Sequence, residues 1–101
     1  MKKVIATSEA PKAVGPYSQA IEVNGTLYIS GQIPVNPADG TVQEEITAAA
    51  HQSLKNIGAI LREAGMTYDN VVKTTVLLAD IADFKAVNEV YAEYFTGDKP
   101  A

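Results

Sequence analysis

Few residues of this chain can do chemistry, and those that are missing narrow the options first. The sequence has no cysteine and a single histidine, His51. That excludes a disulfide framework, a thiolate nucleophile and a Cys-ligated metal. With one imidazole, a zinc site inside one chain is not expected either. No Gly-rich phosphate loop and no G-x-S-x-G elbow occurs. His51 falls beside the apolar stripe of a helix and reads as a surface or boundary residue. Glu44, Glu45, Glu63, Glu89 and Glu93 lie on helices among polar neighbours and read as solvated faces. The one arginine, Arg62, ends a helix and reads as a charge complementing its C-terminus. Binding a small carboxylate generally uses an arginine fork, but the place of Arg62 favours the plainer role.

The remaining candidates come from a hairpin. Asn24-Gly25 stands between two β-rich runs, Tyr17 to Val23 and Thr26 to Gly31. Both residues accept the positive φ of a type I′ turn. Without a bulge, Val23 pairs with Thr26, Ile21 with Tyr28, Gln19 with Ser30 and Tyr17 with Gln32. Opposed residues share a face. One face then carries these pairs, apolar near the turn and polar at the far end, at Tyr17, Ser30 and Gln32. It is either a solvated sheet face or a subunit interface with a polar pocket at its rim. The other face carries Leu27, Ala20, Ile29, Ser18 and Gly31 and suits packing under helices.

Around the hairpin the pattern supplies the remaining elements. Lys3 to Thr7 reads as a first strand. Ile33 to Gly40 is a loop with two prolines and an Asp-Gly. Thr41 and Glu44 fit a capping box. Ile46, Ala50, Leu54, Ile57, Leu61 and Ala64 then mark one face of a helix that Gly65 stops. Asp69 to Ala79, with its β-branched run, reads as a strand, parallel to an earlier one through a right-handed crossover. Asp80 fits an N-cap with Asp83 in the first turn. Phe84, Val87, Tyr91 and Tyr94 or Phe95 mark a second amphipathic helix, with Gly97 as its stop and Pro100 beyond. The order βββαβα leaves a helix at a sheet edge, where a further strand is expected.

These elements make one small α+β domain over residues 1–101. A chain of this length buries only roughly 60–65% of its unfolded surface, so a partner subunit would add to a thin core. The net charge of −4 provides no basic track for nucleic acid or an anionic membrane. No segment is long and apolar enough to span a bilayer, and MKKVIATSEAP is no signal peptide. A cytoplasmic protein is the default expectation.

Three motifs add a resemblance. GPYSQA (Gly15 to Ala20), YISGQIPVNP (Tyr28 to Pro37) and VVKTTVLLADIADFKAVNEVYAEYF (Val71 to Phe95) resemble the RidA family, also called YjgF. The resemblance covers essentially the whole chain. It implies a chorismate-mutase-like mixed sheet with two helices packed on one face. It also implies a homotrimer in which the other sheet faces meet, with a site at each subunit interface. The implied activity is hydrolytic deamination of 2-imino acids such as 2-iminobutanoate and 2-iminopropanoate, giving 2-keto acids and ammonia without a cofactor.

Residue by residue, Tyr17 matches the family's motif tyrosine and would act beside the substrate. Ser30 and Gly31 match the SGQ segment, whose hydroxyl and backbone would bind substrate or water. Asn88, in NEVY, matches a pocket-lining position. The plainer alternatives are interface packing for Tyr17, a strand-end conformational need for Gly31 and a surface helix position for Asn88. The family pattern continues past Pro100-Ala101 with a carboxylate-anchoring Arg, two strands and a water-placing Glu. The expectation is therefore a RidA-type domain lacking its last strands. A non-catalytic trimer that binds small carboxylates is the alternative. Cleavage of nucleic acid, attached to some relatives, fits worst, because the chain is acidic and has no His pair.

Overall fold

The computed structural model describes all residues from 1 to 101. Asn24 and Gly25 take positive φ, 50° and 78°, as a type I′ turn requires. Strand β2 (Ala20–Val23) therefore folds back onto β3 (Thr26–Ile29), with Ile21 opposite Tyr28 and Val23 opposite Thr26. This is the expected register. Strand β1 (Lys3–Ile5) pairs antiparallel with β2, placing Val4 opposite Ile21. Side-chain alternation sends Ala20, Leu27 and Ile29 to the face that packs with Ile5, Ala59 and Ile60. Val4, Ile21 and Tyr28 line up across the opposite face. Val4 and Tyr28 there remain 58% and 63% exposed.

Helix α1 (Ile46–Glu63) starts later than the Thr41/Glu44 capping box implies. Val35 bridges Val42, and the Asn36 N–H donates to the Thr41 carbonyl at 2.8 Å. The Thr41 hydroxyl donates to Asp39 at 2.7 Å. Thr41 is thus consumed by a tight loop, and Glu45 caps the helix instead, accepting from the Ala48 N–H at 2.7 Å. The C-terminus follows expectation. Gly65 has φ 75°, its N–H donates to Arg62 O, and the Met66 N–H donates to Leu61 O. That is a Schellman stop. The helix buries two faces rather than one stripe. Ala59 and Ile60 meet the sheet, while Leu54, with Ala50 and Ile57, packs in a second cluster with Val90 and Phe95.

Asp80 caps as expected, accepting from the Ala82 N–H at 2.9 Å. The 3-10 turn Ile81–Asp83 then runs into α2 (Phe84–Tyr94). Gly97 is not the stop. The helix ends at Phe95, whose ring is buried between the helices, and Gly97 does not take positive φ. Helix α1 packs on the sheet and α2 packs on α1, so the α+β class holds.

The Asp69–Ala79 strand is the main departure. Its first residues belong to a 3-10 turn, Tyr68–Asn70, capped by Thr67. From Val72 to Ala79 the backbone makes two main-chain hydrogen bonds, both to Ala101. Ala101 N–H donates to Val72 O at 3.0 Å, and Thr74 N–H donates to Ala101 O at 2.8 Å. This is the pattern of a parallel pair centred on Lys73. The three-stranded sheet β1-β2-β3 takes no part in it. β-Branched composition favours an extended backbone, but a ladder also needs a neighbour, and Ala101 is the only one alongside.

Tyr68 ties this connection to α1 by donating its hydroxyl proton to Leu54 O at 2.7 Å. Burial, with Tyr94 nearby, raises its pKa above the ordinary 10.0. The folded state therefore holds the phenol proton more tightly than the unfolded chain does. Stability from this group is full below pH 10 and is lost as pH rises through the folded value. Tyr94 shifts in the same direction, mainly through burial. Denaturant midpoints measured across this range should fall above about pH 10, and less steeply in Tyr68→Phe.

Candidate active site

The polar end of the hairpin becomes one wall of a cleft of about 220 Å³ lined by Lys12, Tyr17, Gly31, Gln32 and Asn36, among others. Tyr17 stands just before β2, 49% exposed. A tight turn, Tyr17 N–H to Gly15 O at 2.8 Å, sets its backbone. Its phenolic oxygen accepts a long bond of 3.4 Å from the Val14 N–H. The phenol's own proton has no partner in the chain and is free to be donated into the cleft.

Ser30 and Gly31 follow β3. Ser30 N–H donates to Gln19 O at 2.9 Å, and its hydroxyl donates to Ser18 O at 2.7 Å. The hydroxyl proton is therefore committed to the hairpin, which leaves Ser30 only oxygen lone pairs for any further partner. Gly31 has no positive φ. A Cβ added there would meet nothing within 4 Å. Neither conformation nor crowding within the chain demands glycine at this position, so the strand-end explanation has no support.

Asn88 is elsewhere. It is exposed on α2 and lines a separate groove of about 380 Å³ with Thr74, Val76, Leu78, Phe84 and Tyr91. The two clefts share no lining residue. One chain thus brings Tyr17 and Gly31 to the same cleft; Ser30, next to Gly31 in sequence, does not line it, and Asn88 lies apart.

His51 stays outside both clefts, with Nδ1 2.8 Å from the Tyr94 hydroxyl and Nε2 3.9 Å from Glu93. Arg62 closes the last turn of α1, as expected. No three His, Asp or Glu side chains gather where a metal ion could be held.

Two buried amides hold the cleft in shape, and neither stood out in the sequence. Gln19, 5% exposed, donates to Thr7 O at 3.1 Å, Ala10 O at 3.3 Å and Pro11 O at 2.7 Å. It also accepts from the Thr7 N–H at 2.7 Å. It thereby fixes the loop that carries Lys12 and Tyr17. Asn56, 1% exposed on α1, donates to Ile33 O at 3.2 Å and Val35 O at 3.0 Å, fixing the opposite wall. A signal existed for Asn56: an amide in mid-helix between two apolar faces needs a partner. Gln19→Ala leaves a buried peptide N–H and several carbonyls unanswered. It should cost about 1.5 kcal/mol, read as a lower urea midpoint, and widen the cleft.

Comparison with known proteins agrees on one family. Residues 7–101 match the family model described as endoribonuclease L-PSP. A mouse protein named 2-iminobutanoate/2-iminopropanoate deaminase is 54% identical over 102 residues, covering 100% of this chain and 76% of its own length. The Arabidopsis thaliana protein named reactive intermediate deaminase A, chloroplastic, is 50% identical over 99% of this chain and 54% of its own. Among solved structures, a conserved Rid-family protein from Yersinia pestis superposes with a TM-score of 0.97 at 51% identity, covering 100% of this chain and 82% of its own. Escherichia coli TdcF, crystallised with bound serine, gives a TM-score of 0.94 at 37% identity over 98% of this chain and 80% of its own.

Proposed function

This chain belongs to the endoribonuclease L-PSP family, and we propose that it hydrolyses 2-imino acids such as 2-iminobutanoate and 2-iminopropanoate. Water adds to the imine carbon, the nitrogen gains protons, and ammonia leaves a 2-keto acid. The carbon is already electrophilic, so the protein must hold the acid, place water and deliver a proton to nitrogen. The observation that carries the reading is the Tyr17 cleft. It sets a phenol with a free proton beside the bare backbone of Gly31, in a space of about 220 Å³ that suits a small acid. In this reading Tyr17 serves the leaving nitrogen, while the Ser30 oxygen and Gly31 backbone hold substrate or water. Relatives bearing the deaminase name match the whole chain at over half identity.

The working form in this proposal is a cytoplasmic homotrimer of one domain per chain. The row Val4, Ile21 and Tyr28, with Val4 and Tyr28 exposed at its ends, supports a sheet face covered by other subunits. Such an assembly would bring Asn88 of one chain toward the Tyr17 cleft of its neighbour. Cleavage of RNA, named in the family description, has less support. His51 is the one imidazole and lies outside both clefts.

One observation favours a second reading, a trimer that binds small carboxylates without turnover. Neither cleft is lined by Arg, Asp or Glu. A coupled assay separates the two readings. An amino-acid oxidase generates the imino acid, and keto-acid release is followed with this chain and with a version extended by the mouse relative's C-terminal strands. Acceleration supports the deaminase, and acceleration by the extended version alone puts the carboxylate anchor in those strands. No acceleration by either leaves the binding reading.

A further inference from the structure

Resting on the reading of the Tyr17 cleft as an imine-hydrolysing site, we infer that Gln19 is a positioning residue for Tyr17. Its amide closes the loop that carries the phenol, and it acts on the rate through that phenol alone. Gln19 lines the cleft, yet it has no proton left to donate to a ligand. Its Oε1 accepts from the Thr7 N–H at 2.7 Å. Its amide protons go to Thr7 O, Ala10 O and Pro11 O, at 3.1, 3.3 and 2.7 Å. A carboxamide has no further donor, so whatever Gln19 does for the chemistry it does through the loop.

The loop needs such a clamp. Between the paired residues Ile5 and Ala20 the chain leaves the sheet. Its contact with the core is Ala10, 1% exposed. Farther out, Val14 is 89% exposed, so packing within the chain does not hold the tip. Gln19 supplies the constraint at both ends. Its main chain is fixed just past β3, where the Ser30 N–H donates to Gln19 O at 2.9 Å. Its side chain grips Pro11 O, eight residues earlier. The segment from Pro11 to Gln19 is thereby closed into a compact loop whose ends meet. Pro11 and Pro16 fix φ within it, so fewer backbone torsions stay free. Tyr17 is seated inside this loop. Its N–H donates to Gly15 O at 2.8 Å, and its phenolic oxygen accepts from the Val14 N–H. Gly15 also borders the ring, since a Cβ there would stand 3.7 Å from Cδ2 and Cε2. Opening the clamp frees Pro11, and the seat of the phenol moves with it. A reacting group displaced by about 1 Å can lose up to a hundredfold in rate.

The test is a double-mutant cycle between Tyr17→Phe and Gln19→Met, which fills the place of the amide without its hydrogen bonds. Keto-acid release from an oxidase-generated imine is measured per folded molecule. Gln19→Met should lower kcat about tenfold when Tyr17 is present, with KM changing far less. On the Tyr17→Phe background it should lower kcat no further, because the group it positions is gone. A merely structural glutamine would reduce the folded fraction and leave kcat per folded molecule unchanged. That result overturns the assignment, as does an equal loss of kcat on both backgrounds. A second readout needs no turnover. With the tyrosines isotope-labelled at Cζ, the resonance missing in Tyr17→Phe is that of Tyr17. Gln19→Met should shift it and leave in place those of Tyr68, Tyr91 and Tyr94, which pack in the second core cluster. An unmoved Tyr17 resonance, or a shift of all four, overturns the assignment. In the wild-type chain, relaxation of the label should show the Tyr17 ring as rigid as that of Tyr91, and a freely mobile ring would have no seat to be held in. The deaminase reading is judged separately. A wild-type chain that releases no keto acid fails that reading, and the Tyr17 resonance then decides the role of Gln19. Wild-type turnover with equal losses on both backgrounds leaves the enzyme standing and removes Gln19 from its chemistry.

Discussion

Replacing Tyr17 by Phe is expected to slow imine hydrolysis about a hundredfold, with folding and substrate affinity nearly unchanged. The phenolic oxygen accepts from the Val14 N–H, and its own proton, with no acceptor in the chain, is available to an occupant of the cleft. Adding water to a C=N bond moves negative charge onto nitrogen, and expelling ammonia requires protons there. A donor at that atom acts mainly in the transition state, so its loss appears in kcat rather than KM. The structural cost is small, because the only hydrogen bond lost is 3.4 Å long and exposed. Keto-acid release and thermal unfolding measured together check this. A rate equal to wild type removes Tyr17 from the chemistry. A rate loss matched by an equal loss of folded protein makes it a packing residue.

What the sequence revealed depends on how local each cause is. The Asn24-Gly25 turn and the Gly65 stop were legible because a positive φ is decided by the residue itself. The hairpin register followed from the turn, and the polar end at Tyr17, Ser30 and Gln32 followed from the register. Asp80 was legible for the same reason. Thr41 misled because the bridge from Val35 to Val42 had already claimed it. Gln19 and Asn56 were missed because the carbonyls they donate to lie 8 to 23 residues away, beyond any local pattern. Val71 to Ala79 has the composition of a strand, yet pairing is a property of two segments. Asn88 shows the corresponding limit at the site. A motif match assigns a residue to a pocket without saying where the fold of one chain puts it, and here Asn88 lines a separate groove.

Gly58→Ala should be among the most destabilising small substitutions in the chain, for a reason no helix propensity contains. In an open helix position, alanine for glycine gains up to about 1 kcal/mol. Here a Cβ on Gly58 would run into the Tyr68 ring hydroxyl and come within 2.8 Å of its Cζ. The ring has little room to retreat. Its hydroxyl is bonded to Leu54 O at 2.7 Å, and it meets Tyr94 and Phe95 edge-on, with centroids 5.4 and 5.6 Å away. Overpacking against an anchored neighbour costs about 3 kcal/mol. The clash outweighs the propensity gain, leaving a net loss of about 2 kcal/mol and a Tm lower by roughly 8–16 °C for a domain of this size. The cause can be isolated with a second variant. Tyr68→Ala is itself destabilising, but on that background the space above Gly58 is open. Gly58→Ala should then be neutral or stabilising by up to about 1 kcal/mol. Thermal unfolding of the four proteins in the cycle decides it. A Gly58→Ala penalty of the same size with and without the Tyr68 ring would place its origin in the helix, and the close approach of ring and helix would have no part in it.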